Sequence, residues 1–356
     1  MNGKKTLELD GSFEFVDDET QKAISRYIVT GGDIVLSIVG TIGLVSVVGD
    51  SLNEANLTEN CVKLTSLSGI DRDYLYYYLK SSYGQQEIAR GTVGAVQAKL
   101  PIKNIQDISI PLPDEVTQRK IADILSSLDA KIEVNQRIND NLYEIVNAYY
   151  TSLFKDVECE MTTIGNYAER IYSGGTPTTS NAAYWDGTFG WFSSGETRNR
   201  FVISTEKSIT QTGIDNSSTK LASKHDIVMA SAGQGFTRGQ TSMLLIDTYV
   251  NQSVIVIHAD RNILPYLFWN LANRYEELRA ISDSSSIRGS LTTKMIAAFE
   301  IPCANNDVIQ TFSGFAWAVI PQIENNLLEN ERLAALRDSL LPKLMTGEID
   351  VSAIQL

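Results

Sequence analysis

Residues 33–154 and 226–345 of this chain repeat one template: a buried strand pair, a helix, a Lys-Pro turn and a long amphipathic helix. Gly32-Asp33-Ile34-Val35 runs into Gly40-Thr41-Ile42-Gly43, and His225-Asp226-Ile227-Val228 runs into Gly233-Gln234-Gly235, so Asp33 and Gly40 fall on Asp226 and Gly233 at an offset of 193. The aromatic run Tyr74–Leu79 is answered by Tyr266–Leu271. Leu100, Lys103, Ile105, Ile110 and Pro111 fall on Leu291, Lys294, Ile296, Ile301 and Pro302 at an offset of 191. A period near 190 residues is far too long for a solenoid. A whole module is present twice, so any partner surface is expected twice.

The 356 residues suit two domains or slightly more. Cys61, Cys159 and Cys303 are widely spaced with no CxxC pair, which fits a reducing compartment and argues against a disulfide or zinc framework. The most apolar stretch, Ile34 to Gly49, is broken by glycines and too short to span a bilayer. It reads as two buried strands around a tight turn. A cytoplasmic location and no membrane partner are expected. Net charge is −13, but it is unevenly placed. Residues 1–111 carry 10 Lys+Arg against 14 Asp+Glu, residues 162–302 carry 12 against 12, and the remainder carries 8 against 17. The acidity therefore sits on the helices, and the second module is neutral with eight arginines to four lysines. Such a module can present a basic face, although the chain alone should bind nucleic acid weakly.

The copies differ at their openings. Thr162 to Phe192, with Gly174-Gly175-Thr176-Pro177 and Ala183-Tyr184-Trp185, has no counterpart in the first copy, whose residues 1–31 align from about Ser193 onward. Either an opening segment was lost or a partner supplies the missing strands.

Two long helices are expected, from 114 to about 154 and over the equivalent second stretch, each about 60 Å long at about 1.5 Å per residue. Asp114 and Glu115 favour the first helix's start, after Pro111 and Pro113. Pro321 is expected to kink or delay the second. Leu128, Ile132, Asn135, Asn139 and Leu142 form a pairing stripe in one helix, and Ile323, Asn326, Asn330 and Leu333 form the matching stripe in the other. Asparagines recurring at one offset inside an apolar seam would fix register; alternatively they lie at its edge in water.

Leu100-Pro101-Ile102-Lys103-Asn104-Ile105, Ile110-Pro111-Leu112-Pro113, Gln118-Arg119-Lys120-Ile121-Ala122 and Leu128–Glu133 come in fixed order, and the chain closes with Leu336–Ile349. With Tyr172-Ser173-Gly174-Gly175-Thr176-Pro177 and Tyr184-Trp185, this order resembles the specificity subunit of Type I restriction–modification enzymes over nearly the whole chain. The resemblance implies an α/β fold of two tandem target-recognition domains separated by two long conserved helices that pair as an antiparallel coiled coil. The corresponding segments are 1–112 (first domain, shortened at its start), 113–157 (central helix), 158–303 (second domain) and 304–356 (C-terminal helix). It further implies that each domain reads half of a split site on double-stranded DNA. The helices act as spacer and dock two methyltransferase subunits, which carry S-adenosylmethionine, and a restriction or motor subunit can join. No cofactor or metal is expected on this chain itself. The spacer idea implies that about seven residues added to one helix would lengthen the split site by about three base pairs.

Base reading uses Arg on guanine and Asn or Gln on adenine, whereas Lys, Ser, Thr and backbone amides position phosphates. The densest such stretch is Gly233–Ser242, with Gln234, Thr237, Arg238, Gln240 and Ser242. It is either a DNA-reading loop or an ordinary solvated hairpin tip. The first copy's counterpart, around Thr41, is poorer in such side chains. Arg198, Asn199 and Arg200, with Lys207 beyond, form a second stretch. A third is Ser284–Ser290 with Arg288, mirrored by Arg90, Gln97 and Lys99 in the first copy; Lys63 is a further first-copy candidate. Lys103 and Lys294 suit capping or packing, and the aromatic runs suit the core more than base stacking. His225 and His258, the only histidines, show no ligand or triad spacing. There is no Walker A loop and no Asn-Pro-Pro-aromatic tetrad, so the chain is expected to be non-catalytic. Two other readings remain open: a coiled-coil adaptor that reads no DNA, and an inactive or phase-variable fragment.

Overall fold

The computed structural model describes residues 5–9, 11, 13–94, 97–154, 160–233, 237–284 and 289–354. Strands are β1 (Thr6–Leu7), β2 (Ile34–Ser37), β3 (Val45–Val48), β4 (Cys61–Leu64), β5 (Met161–Thr163), β6 (Ala168–Ser173), β7 (Trp185–Phe192), β8 (Phe201–Val202), β9 (Lys207–Ile209), β10 (Lys220–Ala222), β11 (Ile227–Ala230), β12 (Thr241–Leu244), β13 (Thr248–Val250), β14 (Val254–Ala259) and β15 (Glu300–Pro302). Helices are α1 (Asp18–Ala23), α2 (Arg72–Lys80), α3 (Ser82–Gly91), α4 (Ile102–Gln106), α5 (Glu115–Phe154), α6 (Ile164–Tyr167), α7 (Gln211–Asp215), α8 (Leu264–Ala272), α9 (Tyr275–Ser284), α10 (Thr293–Ala297) and α11 (Asn306–Met345). Two compact units emerge. One holds residues 1–134 and 329–356 and the other residues 135–328, so each takes half of α5 and half of α11.

In the first unit, β2 and β3 form the antiparallel pair expected around the glycine turn, and every residue of both is buried. An apolar run with no alternation means a strand covered on both faces. The sheet order is β1-β3-β2-β4, with β1 parallel to β3. In the second unit the corresponding sheet runs β6-β14-β11-β12-β8, with β8 parallel to β12. At the offset of 193, β2, β3 and β4 become β11, β12 and β14. The second unit adds β6 on β14, a second sheet of order β10-β13-β7-β9, and the pair β5–β15.

The aromatic runs are core. Asp71 caps α2 by accepting the Tyr74 amide at 2.9 Å, and Tyr74 to Leu79 are all buried. Burial pushes the Tyr74 hydroxyl up to about 12, and it donates to the Pro111 carbonyl at 2.8 Å. Tyr266 to Leu271 of α8 are buried likewise.

Both long helices span 40 residues. Asp114 caps α5 by accepting the Thr117 amide at 2.9 Å, and that bond holds its carboxyl below the usual range. The expected break at Pro321 does not occur: α11 runs through it. Pro321 is exposed, so the carbonyl it leaves without an N–H can hydrate.

Within each unit the helix halves pack antiparallel. In the first, Arg337 donates to Asp129 at 2.6 Å, Tyr77 donates to the same carboxylate at 2.6 Å, and Lys131 pairs with Glu329 at 3.3 Å. In the second, Tyr149 and Tyr150 meet Phe315 and Phe312 with ring centroids 5.0 and 5.5 Å apart. Asn326 donates to Asn139 at 2.8 Å, Asn139 to the Ile323 carbonyl at 3.3 Å, and Gln322 to Asn326 at 2.9 Å. Asn135, Asn326 and Ile323 are buried; Leu128, Ile132, Asn139, Leu142, Asn330 and Leu333 are half-buried. The asparagines thus lie in the seam, whereas Ile138 and Ile145, also counted in the apolar stripe, are exposed. Asn326→Leu should cost about 1–3 kcal/mol by stranding the Asn139 amide, and adding Asn139→Leu should recover most of it. Urea denaturation of the two variants checks this; equal losses in both would remove the paired role.

Candidate nucleic-acid interface

The sequence predicted three DNA-facing stretches in the second unit, and the fold brings their described parts to one hairpin. β11 and β12 pair antiparallel, and the hairpin is extended by the Ala230 amide donating to the Gln240 carbonyl at 3.0 Å. The Ser194–Arg198 turn runs beside β12, where Ser242 donates to the Asn199 carbonyl at 2.6 Å and the Met243 amide to the Arg200 carbonyl at 2.9 Å. On the other side, the Leu291 amide donates to the Ser231 carbonyl at 2.9 Å, which brings in the third stretch. The first unit repeats the device: the Leu100 amide donates to the Ile38 carbonyl at 2.9 Å, and Lys99 bridges to both Val39 and Val93. The Thr41 turn and the Gln97–Lys99 stretch are therefore neighbours. Gly43 at φ +92 lets that turn close over Gln85, which donates to its carbonyl at 3.0 Å.

The side chains differ sharply in availability. Ser242 is fully buried and binds backbone carbonyls, so its hydroxyl faces inward. Arg238 is only 18% exposed; it donates to the Gly289 carbonyl at 2.7 Å and pairs with Asp283 at 2.7 Å. The Gln240 Oε1 is buried without a hydrogen-bond partner among the described residues. Arg198 pairs with Glu206, and Arg200 lies 4.2 Å over the Tyr143 ring with Asp140 at 3.6 Å. Thr237 is half-buried, Asn199 is exposed, and Lys207 is exposed with its ammonium 5.8 Å over the Trp185 ring. In the first unit Thr41, Gln97 and Lys99 are exposed, and Arg90 pairs with Glu87 at 2.6 Å. Lys63 stands apart from them, half-buried on β4 with its ammonium on the Ile28 carbonyl. Gln234 and Arg288 lie outside the described residues. Lys103 and Lys294 are exposed, so the packing role expected of them is not what the fold gives.

Two features escaped the sequence reading. Arg170 and Lys220 both lie over the Tyr172 ring, at 5.8 and 5.6 Å, from strands about 50 residues apart. His258 does meet a carboxylate: its Nδ1 is 2.5 Å from buried Asp226, whose other oxygen accepts the Ser223 amide at 2.9 Å. No local spacing signals either. Among the described residues there is no His/Cys/Asp/Glu group able to hold a metal and no helix long and apolar enough to cross a membrane.

His225 packs against Trp317 with ring centroids 4.7 Å apart, in a left-handed backbone at φ +78. Burial first, then the Lys224 and Arg261 charges, hold its pKa below the ordinary 6.5, against the pull of Glu324 and Asp226. The unfolded chain thus takes this proton more readily, and stability falls as pH drops below about 6.5. His225→Asn, which tolerates the same backbone, should flatten the fall in thermal midpoint between about pH 7 and pH 5.5. An unchanged slope would assign the dependence to other groups.

Comparison with known proteins gives consistent matches. The Type I restriction modification DNA specificity domain family matches residues 4–144 and 157–308. The HindI specificity subunit of Haemophilus influenzae is 21% identical over 329 residues, covering 70% of this chain and 71% of that protein. The EcoR124I/EcoR124II specificity subunit of Escherichia coli is 25% identical over 242 residues, covering 65% of this chain and 59% of its own length. The chain therefore spans less than two thirds of that second relative. The crystal structure of a Type-I restriction-modification system S subunit from M. genitalium shares the fold with a TM-score of 0.56 at 18% identity, over 90% of this chain and 84% of that one. Matched across both copies of its repeat, this chain belongs to the Type I restriction–modification DNA specificity domain family.

Proposed function

We propose that this chain is the non-catalytic DNA-reading subunit of a Type I restriction–modification complex, with each module reading one half of a bipartite duplex site. Its partners are two adenine-methyltransferase subunits docked on the helices, which carry S-adenosylmethionine, and a restriction subunit that joins them in the cytoplasm. The observation that carries the reading is the repeated hairpin end. In both family-matched modules, the β2–β3 or β11–β12 turn and the stretch before the conserved leucine are tied together by the same backbone bond. Two like ends with unlike side chains suit two half-sites of different sequence. Because the modules are near neutral, affinity should depend on the assembled complex.

Mobility shifts of the chain reconstituted with its methyltransferase, at several salt concentrations, test the reading, together with long-read mapping of modified adenines. A bipartite asymmetric methylated motif that appears only when this chain is present supports it. The adaptor reading has one observation in its favour: Arg198, Arg200 and Arg238 are each already paired with a carboxylate of this chain. Salt-dependent binding with no sequence preference would favour that alternative.

A further inference from the structure

The second unit shows how a module of this kind covers one edge of its main sheet. β6 pairs antiparallel with β14, setting Ile171 opposite Ile257 and Tyr172 opposite Val256. The preceding α6 buries Ile164 completely, with the Ile164 amide donating to the Phe299 carbonyl at 3.0 Å. It sits so close to α10 that a Cβ on Gly165 would come 2.9 Å from the Ala297 carbonyl oxygen. Under that cover Val254 to Ile257 of β14 are fully buried.

The first unit keeps the receiving surfaces without the cover. Its edge strand β4 stands where β14 stands, and its α4 where α10 stands, at offsets of 193 and 191. Among the described residues no strand pairs with the outer side of β4. Cys61 to Leu64 are all only half-buried. An open cleft of about 410 Å³ lies against β4 and α4, lined by Val62, Leu64, Ile102 and Ile105 on its apolar side and by Arg26 and Lys63. Ile102 is 60% exposed there.

One substitution defines what fits. In the second unit the Tyr172 hydroxyl donates to the Leu221 carbonyl at 2.8 Å. The matching Ile28 carbonyl in the first unit is reached by the ammonium of Lys63, which replaces Val256 in the strand. A lysine on an edge strand discourages indiscriminate pairing. It favours a strand with a carboxylate directly opposite. Arg26, in the same cleft, pairs with no carboxylate among the described residues.

We propose that β4 accepts a strand from another polypeptide, antiparallel and in the register of β6, with an aliphatic side chain opposite Leu64 and an acidic one opposite Lys63. The acceptor mode is strand addition: main-chain bonds supply affinity and the cleft selects side chains. The strand would complete the first module as Ile164–Ser173 completes the second, independently of whether the hairpin ends read DNA.

The test uses the full chain and a synthetic peptide of residues 160–175 carrying Tyr172→Glu. Hydrogen exchange at Val62–Leu64 is expected to slow at least tenfold at saturating peptide, while exchange at Val45–Val48 stays unchanged. The Tyr172→Lys peptide should need at least ten times the concentration, and Ile102→Asp in the protein should abolish the effect. No slowing at millimolar peptide would overturn the proposal, as would equal slowing by both peptides. Slow exchange at β4 in dilute protein alone would show the edge already covered. Protection that grows with protein concentration without peptide would make the occupant a second copy and overturn the assignment as well.

Discussion

Phe312→Ala is expected to lower the stability of the second unit by about 3–5 kcal/mol, the cost of removing a fully buried phenylalanine from a packed core. Phe312 lies on α11 and is wholly buried. Its ring centroid lies 5.5 Å from Tyr150, 5.7 Å from Phe154 and 5.8 Å from Trp269. One side chain therefore joins both long helices to α8 within this unit. Its neighbours are themselves fixed: Asn270 donates to the Tyr150 hydroxyl at 2.9 Å, and burial pushes that phenol up to about 12. A cage of rings held from behind cannot collapse into the vacated space, so the upper part of the range applies. The equivalent position in the first unit is Ile121, a smaller side chain, and Ile121→Ala should cost about 2–4 kcal/mol there. The chain provides a clean readout, because all four tryptophans (Trp185, Trp191, Trp269 and Trp317) lie in the second unit. Urea unfolding followed by tryptophan fluorescence should report the Phe312 loss in full and the Ile121 loss little. Phe315→Ala, at an exposed position on the same helix, should change the midpoint far less. A Phe312→Ala loss below about 1 kcal/mol would mean the ring cage is not what holds this unit together.

The offsets of 193 and 191 made the architecture legible before any coordinate, because apolar spacing is a local signal that survives duplication. The sheet pair around Gly40–Gly43, the buried tyrosine helix and both 40-residue helices stand where the pattern put them. The asparagines Asn135 and Asn326 are buried, as a polar residue repeated inside an apolar stripe suggested. What stayed hidden depends on distant partners. Nothing near Arg238 in sequence announces Asp283, and nothing near Arg200 announces Asp140. A reading based on residue type counts both arginines as available donors, whereas folding spends much of their charge inside the chain. The His258–Asp226 contact is hidden in the same way, across adjacent strands. Pro321 shows the reverse error: a local rule predicted a break, and packing of α11 overrode a loss that solvent can compensate.

That difference between donor type and donor availability gives the sharpest test of the interface. Lys207→Ala and Arg238→Ala each remove one cation, yet they should act on different observables. Lys207 is exposed, pairs with no carboxylate among the described residues, and touches only the face of Trp185. A lysine of that kind facing phosphate weakens binding evenly across sequences and lowers the slope of log affinity against log salt by about 1. Tryptophan-monitored stability should stay within about 0.5 kcal/mol. Arg238 is mostly covered and neutralised by Asp283, so few counterions remain for it to release. Its removal strands the Gly289 carbonyl and leaves Asp283 with only the Arg279 contact at 3.4 Å. Arg238→Ala should therefore cost about 1–3 kcal/mol of stability in the second unit and change the salt slope by well under 1. Binding to the complex would then fall because the hairpin end loosens, and Arg238→Lys, which cannot reproduce the two-sided fork, should restore little. The opposite outcome is equally informative: a full unit lost from the salt slope with stability intact would show that Arg238 leaves Asp283 for a phosphate when DNA arrives. Measured on the assembled methyltransferase complex, this pair of slopes separates arginines that build the reading surface from lysines that hold the duplex against it.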